Sequence, residues 1–196
     1  MPNWVDNRLQ IVGENEHLAE FRKWLAEDCG GEFLFEKFLP IPQELLEHNS
    51  PNIDEEKAKE FKSKYGAADW YSWSIGNWGC KWDLKHQDDD FLENFDDYQG
   101  FSFETAWSPP IKAIEHLSLK FPNLKFEMQF IDEAWLFWGE AKIAMGESKE
   151  VCYEFEDLLH ERGEAYRMLV DEFEGGDEEY VDERIKEVEK SLSEIE

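Results

Sequence analysis

The 196 residues carry 47 acidic and 20 basic side chains, a net charge of −27, with 41% hydrophobic and 15% aromatic residues. This composition can bury a core and is not that of a disordered chain. It leaves too few cations to neutralise nucleic-acid phosphate over a broad surface or to dock on anionic lipid. No apolar run reaches the roughly 18 residues of a membrane span, and the N-terminus has no signal-peptide pattern. The cysteines Cys29, Cys80 and Cys152 are odd in number and far apart. They read as reduced thiols in a cytoplasmic protein.

Val5, Leu9 and Ile11 alternate with Asp6, Arg8 and Gln10, which predicts a half-buried strand ended by Gly13. Asn15 is placed to cap a helix running to about Asp28, with Leu18, Phe21 and Leu25 on one face and Gly30 and Gly31 as the stop. Phe33 and Phe35 alternate with polar and apolar neighbours ahead of Pro40 and Pro42, and predict a second strand.

Residues 41–100 read as an insertion. Ser50 and Pro51 open a polar helix carrying Ala58, Phe61 and Tyr65, with Gly66 as its stop. Asp69 is placed to cap a short turn bearing Trp70 and Trp73, broken by Gly76 and Gly79. Four of the nine tryptophans lie between positions 70 and 83. Asp88, Asp89, Asp90, Asp96 and Asp97 belong to a loop.

The opening pattern then returns. Phe101, Phe103, Thr105 and Trp107 share one strand face, and Ser108 followed by Pro109 predicts a helix start with Pro at the first helical position. Ile111, Ile114, Leu117 and Phe121 form the stripe of that helix. Leu124, Phe126, Met128 and Phe130 alternate along another strand, and a turn at 131–134 leads to a partner strand from Trp135 to about Met145. The expected architecture is α+β, a ferredoxin-like β-α-β-β-α-β sandwich with a Trp-rich insertion and an added hairpin strand. It occupies residues 1–146, followed by an acidic helical extension over 147–196. That extension holds nineteen acids and six bases, a net of −13. Val181, Ile185, Val188, Leu192 and Ile195 repeat at spacings of 4, 3, 4 and 3. The stripe suits either a terminal helix packed on its own domain or a homodimer seam.

Three strings carry a family resemblance: Met1 to Asn7 with Leu9 and Ile11, then Asn77, Trp78, Gly79, Cys80, Lys81, Trp82 and Asp83, then Thr105 to Pro110. They resemble the YubB-like family of plasmid and bacteriophage proteins over roughly residues 1–146. The resemblance implies a ferredoxin-like domain and a cytoplasmic accessory protein of a mobile element. Where the family usually has Thr, this chain has Cys80, which argues against an essential hydroxyl there.

The candidate sites each have a bland alternative. Trp78, Trp82 and Trp107 are able to wall a pocket, with Asn77, Lys81 and Asp83 as its polar groups. Lys81 and Asp83, two apart, would share a strand face and pair. Alternatively, the indoles cover the sheet and the pair is an ordinary ion pair. A base-stacking platform on the sheet lacks the accompanying cations and the Lys-Gly-aromatic signature. His17, His48, His86, His116 and His160 have no metal-ligand spacing. Asp88, Asp89 and Asp90 beside His86 lack the pattern of a calcium loop. No cofactor or metal is implied. Cys80 beside Lys81 has no partner base that the sequence identifies, and no phosphate-binding loop or nucleophile elbow is present.

The acidic surface is the last candidate. Glu172, Glu174, Asp177, Glu178, Glu179, Asp182 and Glu183 approach the charge density of a nucleic-acid backbone, although charge runs are usually solvated faces. The expected function is non-enzymatic: binding a host protein with a basic surface, with nucleic-acid mimicry as one form of it. Contact with nucleic acid or membrane is not expected. The alternative is a small-ligand-binding domain or enzyme using the Trp78, Lys81, Trp82 and Asp83 pocket. A homodimer would form through Val181, Ile185, Val188 and Leu192.

Overall fold

In β1 (Trp4–Val12) every second residue from Val5 to Ile11 is buried, as the alternation requires. The computed structural model describes residues 3–48, 55–86, 92–94, 98–134 and 136–154. β1 pairs antiparallel with β4 (Tyr98–Ala106) on one side and β5 (Lys125–Asp132) on the other. α1 (Asn15–Glu27) follows β1, and α6 (Ile111–Lys120) follows β4. Their apolar stripes, Leu18, Phe21 and Leu25 on α1 and Ile111, Ile114 and Leu117 on α6, are buried with Leu9, Ile11, Phe103, Phe126 and Phe130 of the sheet.

The short strands β2 (Lys85–His86) and β3 (Leu92–Asn94) both run antiparallel to β4 along its outer edge. β6 (Phe137–Ala144) and β7 (Glu147–Glu154) extend the other side, so the order is β2-β4-β1-β5-β6-β7 with β3 also beside β4. Two βα units feeding an antiparallel sheet with β1 in its interior are the ferredoxin-like α+β arrangement.

Several expectations are corrected. Phe33 and Phe35 do not form the second edge strand; β2 and β3 occupy that place. Phe33 instead stacks on Phe101 at 4.4 Å, and Phe35 opens the short helix α2 (Phe35–Phe38). The insertion therefore precedes the second strand. It contains α3 (Gln43–Glu47), α4 (Glu55–Tyr65) and α5 (Trp70–Asn77). Gly76 lies within α5, and only Gly79, at φ +89°, breaks the chain direction.

Two helix starts also move. Glu14, extended at φ −67° and ψ 146°, is the residue before α1, so Asn15 is its first helical residue and not its cap. α6 begins at Ile111 after Pro110, because Ser108 spends its hydroxyl on Gly79 O at 2.6 Å. The Asp69 cap forms as expected: its Oδ1 accepts the Ser72 N–H at 2.7 Å.

The boundary at 146 falls inside a hairpin. Met145 and Gly146 have φ of 52° and 79°, the two-residue turn that suits strand twist. β7 continues the sheet from there to Glu154, where helix was expected. Most β7 side chains are exposed, so its sequence lacks the apolar alternation of a half-buried strand. On the face of the sheet carrying Asp6, register neighbours run Lys85, Glu104, Asp6, Ile131, Trp138, Tyr153. Trp138 and Tyr153 stack there at 5.3 Å.

Ser50, Pro51, Asp88 to Asp90, Asp96, Asp97, Trp135 and His160 lie outside the described residues. So do the acidic candidates from Glu172 to Glu183 and the apolar stripe from Val181 to Ile195.

Candidate functional site

The loop after α5 and the turn after β4 are stapled together. Ala113 N–H donates to Trp78 O at 3.1 Å, and Lys81 N–H to Ala106 O at 3.5 Å. The Ser108 hydroxyl donates to Gly79 O. A Cβ on Gly79 would stand 3.2 Å from Pro109 O, so glycine serves both the positive φ and the close approach. The strings 77–83 and 105–110, distant in sequence, thus form one structural unit.

The inward half of this unit is core. Trp78 is 2% exposed and packs at 5.8 Å from both Phe35 and Trp73. Its indole N–H donates to Leu39 O at 2.9 Å. Cys80 is fully buried with its thiol directed to Trp82 O at 3.2 Å, and burial pushes that thiol up, away from nucleophilic use. Asp83 turns inward as well. Its Oδ1 accepts the N–H groups of Phe35 and Leu84, both at 2.8 Å, and its Oδ2 accepts that of Glu36 at 2.9 Å. It thereby caps α2, which has no side-chain cap of its own. Burial raises the Asp83 carboxyl above the usual aspartate value, and the backbone N–H groups oppose that rise.

The outward half is an aromatic surface. The Lys81 ammonium lies 4.3 Å from the Trp82 ring centroid and 4.2 Å from that of Trp107. Trp82 and Trp107 are 38% and 41% exposed. Tyr71 meets Trp107 edge-on at 6.1 Å, and Trp4 lies 6.2 Å from Trp82. Lys85 reaches over Trp4 at 5.1 Å while paired with Glu104 at 2.7 Å.

Trp107 has φ 76°, a left-handed backbone that bulky residues avoid. Its N–H is held by Asn3 O at 2.9 Å. Behind it the Thr105 hydroxyl donates to Ser108 O at 2.8 Å and accepts from buried Asn7 Nδ2 at 2.9 Å. The turn is over-determined, and it holds a large apolar ring out in solvent.

The expected pocket is therefore not assembled from the residues named for it. Trp78 and Asp83 belong to the interior, and Asn77 donates its side chain to Trp73 O at 2.9 Å. Lys81 and Asp83 do not pair. The loop carries one outward between indoles and the other inward to α2, because neither position lies on a strand. Lys81, Trp82 and Trp107 do converge. Sequence reasoning missed Tyr71, Trp4 and Lys85; only the density of aromatics around them signalled a surface. Among the described residues no group of three or more His, Cys, Asp or Glu could hold a metal ion. Nor is any helix among them long and apolar enough to cross a membrane.

Residues 81–171 match a family model described as a ferredoxin-like domain in Api92-like protein. No curated protein matches the chain. Among solved structures, the chain is similar to a crystal structure of protein Api92 from Yersinia pseudotuberculosis at 12% identity. That match covers 77% of this chain and 98% of the other, with a TM-score of 0.41.

Proposed function

We propose that this protein works without catalysis, by binding a partner protein through the aromatic face of Trp4, Tyr71, Trp82 and Trp107. The observation that carries this reading is Trp107: an exposed indole kept on a strained backbone by a hydrogen-bonded turn. Strain of that kind costs on the order of 1–3 kcal/mol and persists where surrounding structure imposes it, often at ligand contacts. Exposed Trp and Tyr are also the residues on which binding energy concentrates in protein interfaces. The net charge of −27 favours a partner with a basic surface and speeds its approach. In this proposal the acids from Glu172 to Glu183 supply part of that steering, as a nucleic-acid mimic would. The setting we infer is the cytoplasm, in an accessory protein of a phage or plasmid; the YubB-like resemblance supports it.

The test is affinity capture from bacterial extract with the full chain and its Trp107→Gly variant, at low and high salt. Retained proteins are identified, and the leading one is purified and titrated. A partner bound by the wild type and weakened at least tenfold by Trp107→Gly is the expected result. Equal binding by both chains overturns the assignment to this face.

A further inference from the structure

Resting on that reading, we propose that the Trp82 and Trp107 rings form a clamp for one cationic side chain, an arginine or lysine of a basic partner. Lys81 is its resident, displaceable occupant. Lys81 itself shows what the space between the rings accepts. Its ammonium is within cation–π range of both centroids, at 4.3 and 4.2 Å. Both rings remain open to solvent, and Tyr71 stands edge-on behind Trp107.

Among the described residues, the Lys81 ammonium is held by these two rings. No salt bridge to it forms among the described residues. Asp83, its close acidic neighbour in sequence, is committed to the N–H groups of Phe35, Glu36 and Leu84. Lys85 is the contrast: it also lies over an indole, Trp4, but a carboxylate of Glu104 anchors it at 2.7 Å. Lys81 has a long flexible stem and a strongly hydrated head, so it can withdraw to water at small cost. A guanidinium entering in its place stacks flat on the rings and is less strongly hydrated, so it gains more from the same walls. The chain's charge of −27 favours that exchange and disfavours an anionic occupant.

The experiment uses the full-length protein and a probe with a single charge, N-acetyl-arginine amide. Binding is followed through the indole N–H resonances of Trp82 and Trp107, which makes the readout local to the clamp. N-acetyl-aspartate amide and thymidine monophosphate are the counter-probes. The arginine probe is expected to shift both resonances in a saturable way, and the two anions are not. Emptying the clamp with Lys81→Ala should tighten the arginine probe about two- to fivefold, the effect of removing a weak internal competitor. Lys23→Ala, at an exposed position of α1, changes the net charge equally and should leave affinity unaltered. Weaker or unchanged arginine binding in Lys81→Ala, relative to Lys23→Ala, overturns the clamp. So does saturable binding of either anion that Lys81→Ala abolishes, which would make Lys81 a reader of negative charge. If the clamp fails while protein capture still depends on Trp107, the aromatic-face reading stands without it. If Trp107→Gly leaves capture intact, that reading falls on its own evidence.

Discussion

Asp83 and Phe35, 48 positions apart in the chain, are joined by a hydrogen bond of 2.8 Å from the Phe35 N–H to the Asp83 carboxylate. The same carboxylate takes the Glu36 N–H. A helix end without its own cap is thus closed by the loop that follows α5, and the segment that displays Lys81 and Trp82 is fastened from beneath.

Asp83→Ala should therefore lower folding stability by about 1–3 kcal/mol, since it leaves part-buried N–H groups without an acceptor. Urea denaturation measures the loss. The Trp82 indole resonance should shift in the same variant, because its loop loses its inner attachment.

Acid titration offers a second check on Asp83. Burial is the largest influence on its carboxyl and raises it above the ordinary 3.8. A raised folded value means the native state binds the proton more tightly than the unfolded chain does. The stability this group contributes is then fully present below 3.8 and is lost as pH climbs through the folded value. Against an Asp83→Asn reference, the wild type should lose stability across that window and hold level towards neutrality. Denaturation curves at stepped pH read it directly, and a gain over the same window would mean that the N–H groups outweigh burial.

Trp107→Gly should fold at least as well as the wild type, with a gain of about 1 kcal/mol from the relieved left-handed backbone. Trp107→Ala keeps the strained φ and should show no such gain. Thermal melts of the three chains separate strain from lost ring contacts.

Neighbouring indoles should respond very differently to truncation. Trp78→Ala should cost about 3–5 kcal/mol as a core deletion. Trp78→Phe should cost about 1–3 kcal/mol through the orphaned Leu39 carbonyl. Trp82→Ala, at a half-open position, should stay within about 1 kcal/mol of the wild type. Equilibrium unfolding gives all three.

The main frame was legible wherever one strand face or one helix stripe is buried: the alternation around Leu9, Phe103 and Met128 and the stripes of α1 and α6 state their own geometry. Phe33 and Phe35 misled because an aromatic pair at spacing two suits an irregular segment pressed on the core as well as a strand. β7 was hidden because exposure of most of its side chains erases the period. In the candidate site, composition pointed to the aromatic block and could not orient it. Lys81 and Asp83 diverge because long-range partners, Ala106 and Phe35, set the loop's path, and no local pattern encodes them.

Among the described residues, β7 is paired only with β6 and ends the sheet on that side. Such a rim invites other extended chains to add themselves to it. Here the rim carries Glu147, Glu150 and Glu154 against a single Lys149. A second copy of the chain approaching edge to edge would bring carboxylates against carboxylates. The strand that widens the sheet therefore also discourages its growth, and exchanging those glutamates for valine or threonine would turn a self-limiting fold towards fibres.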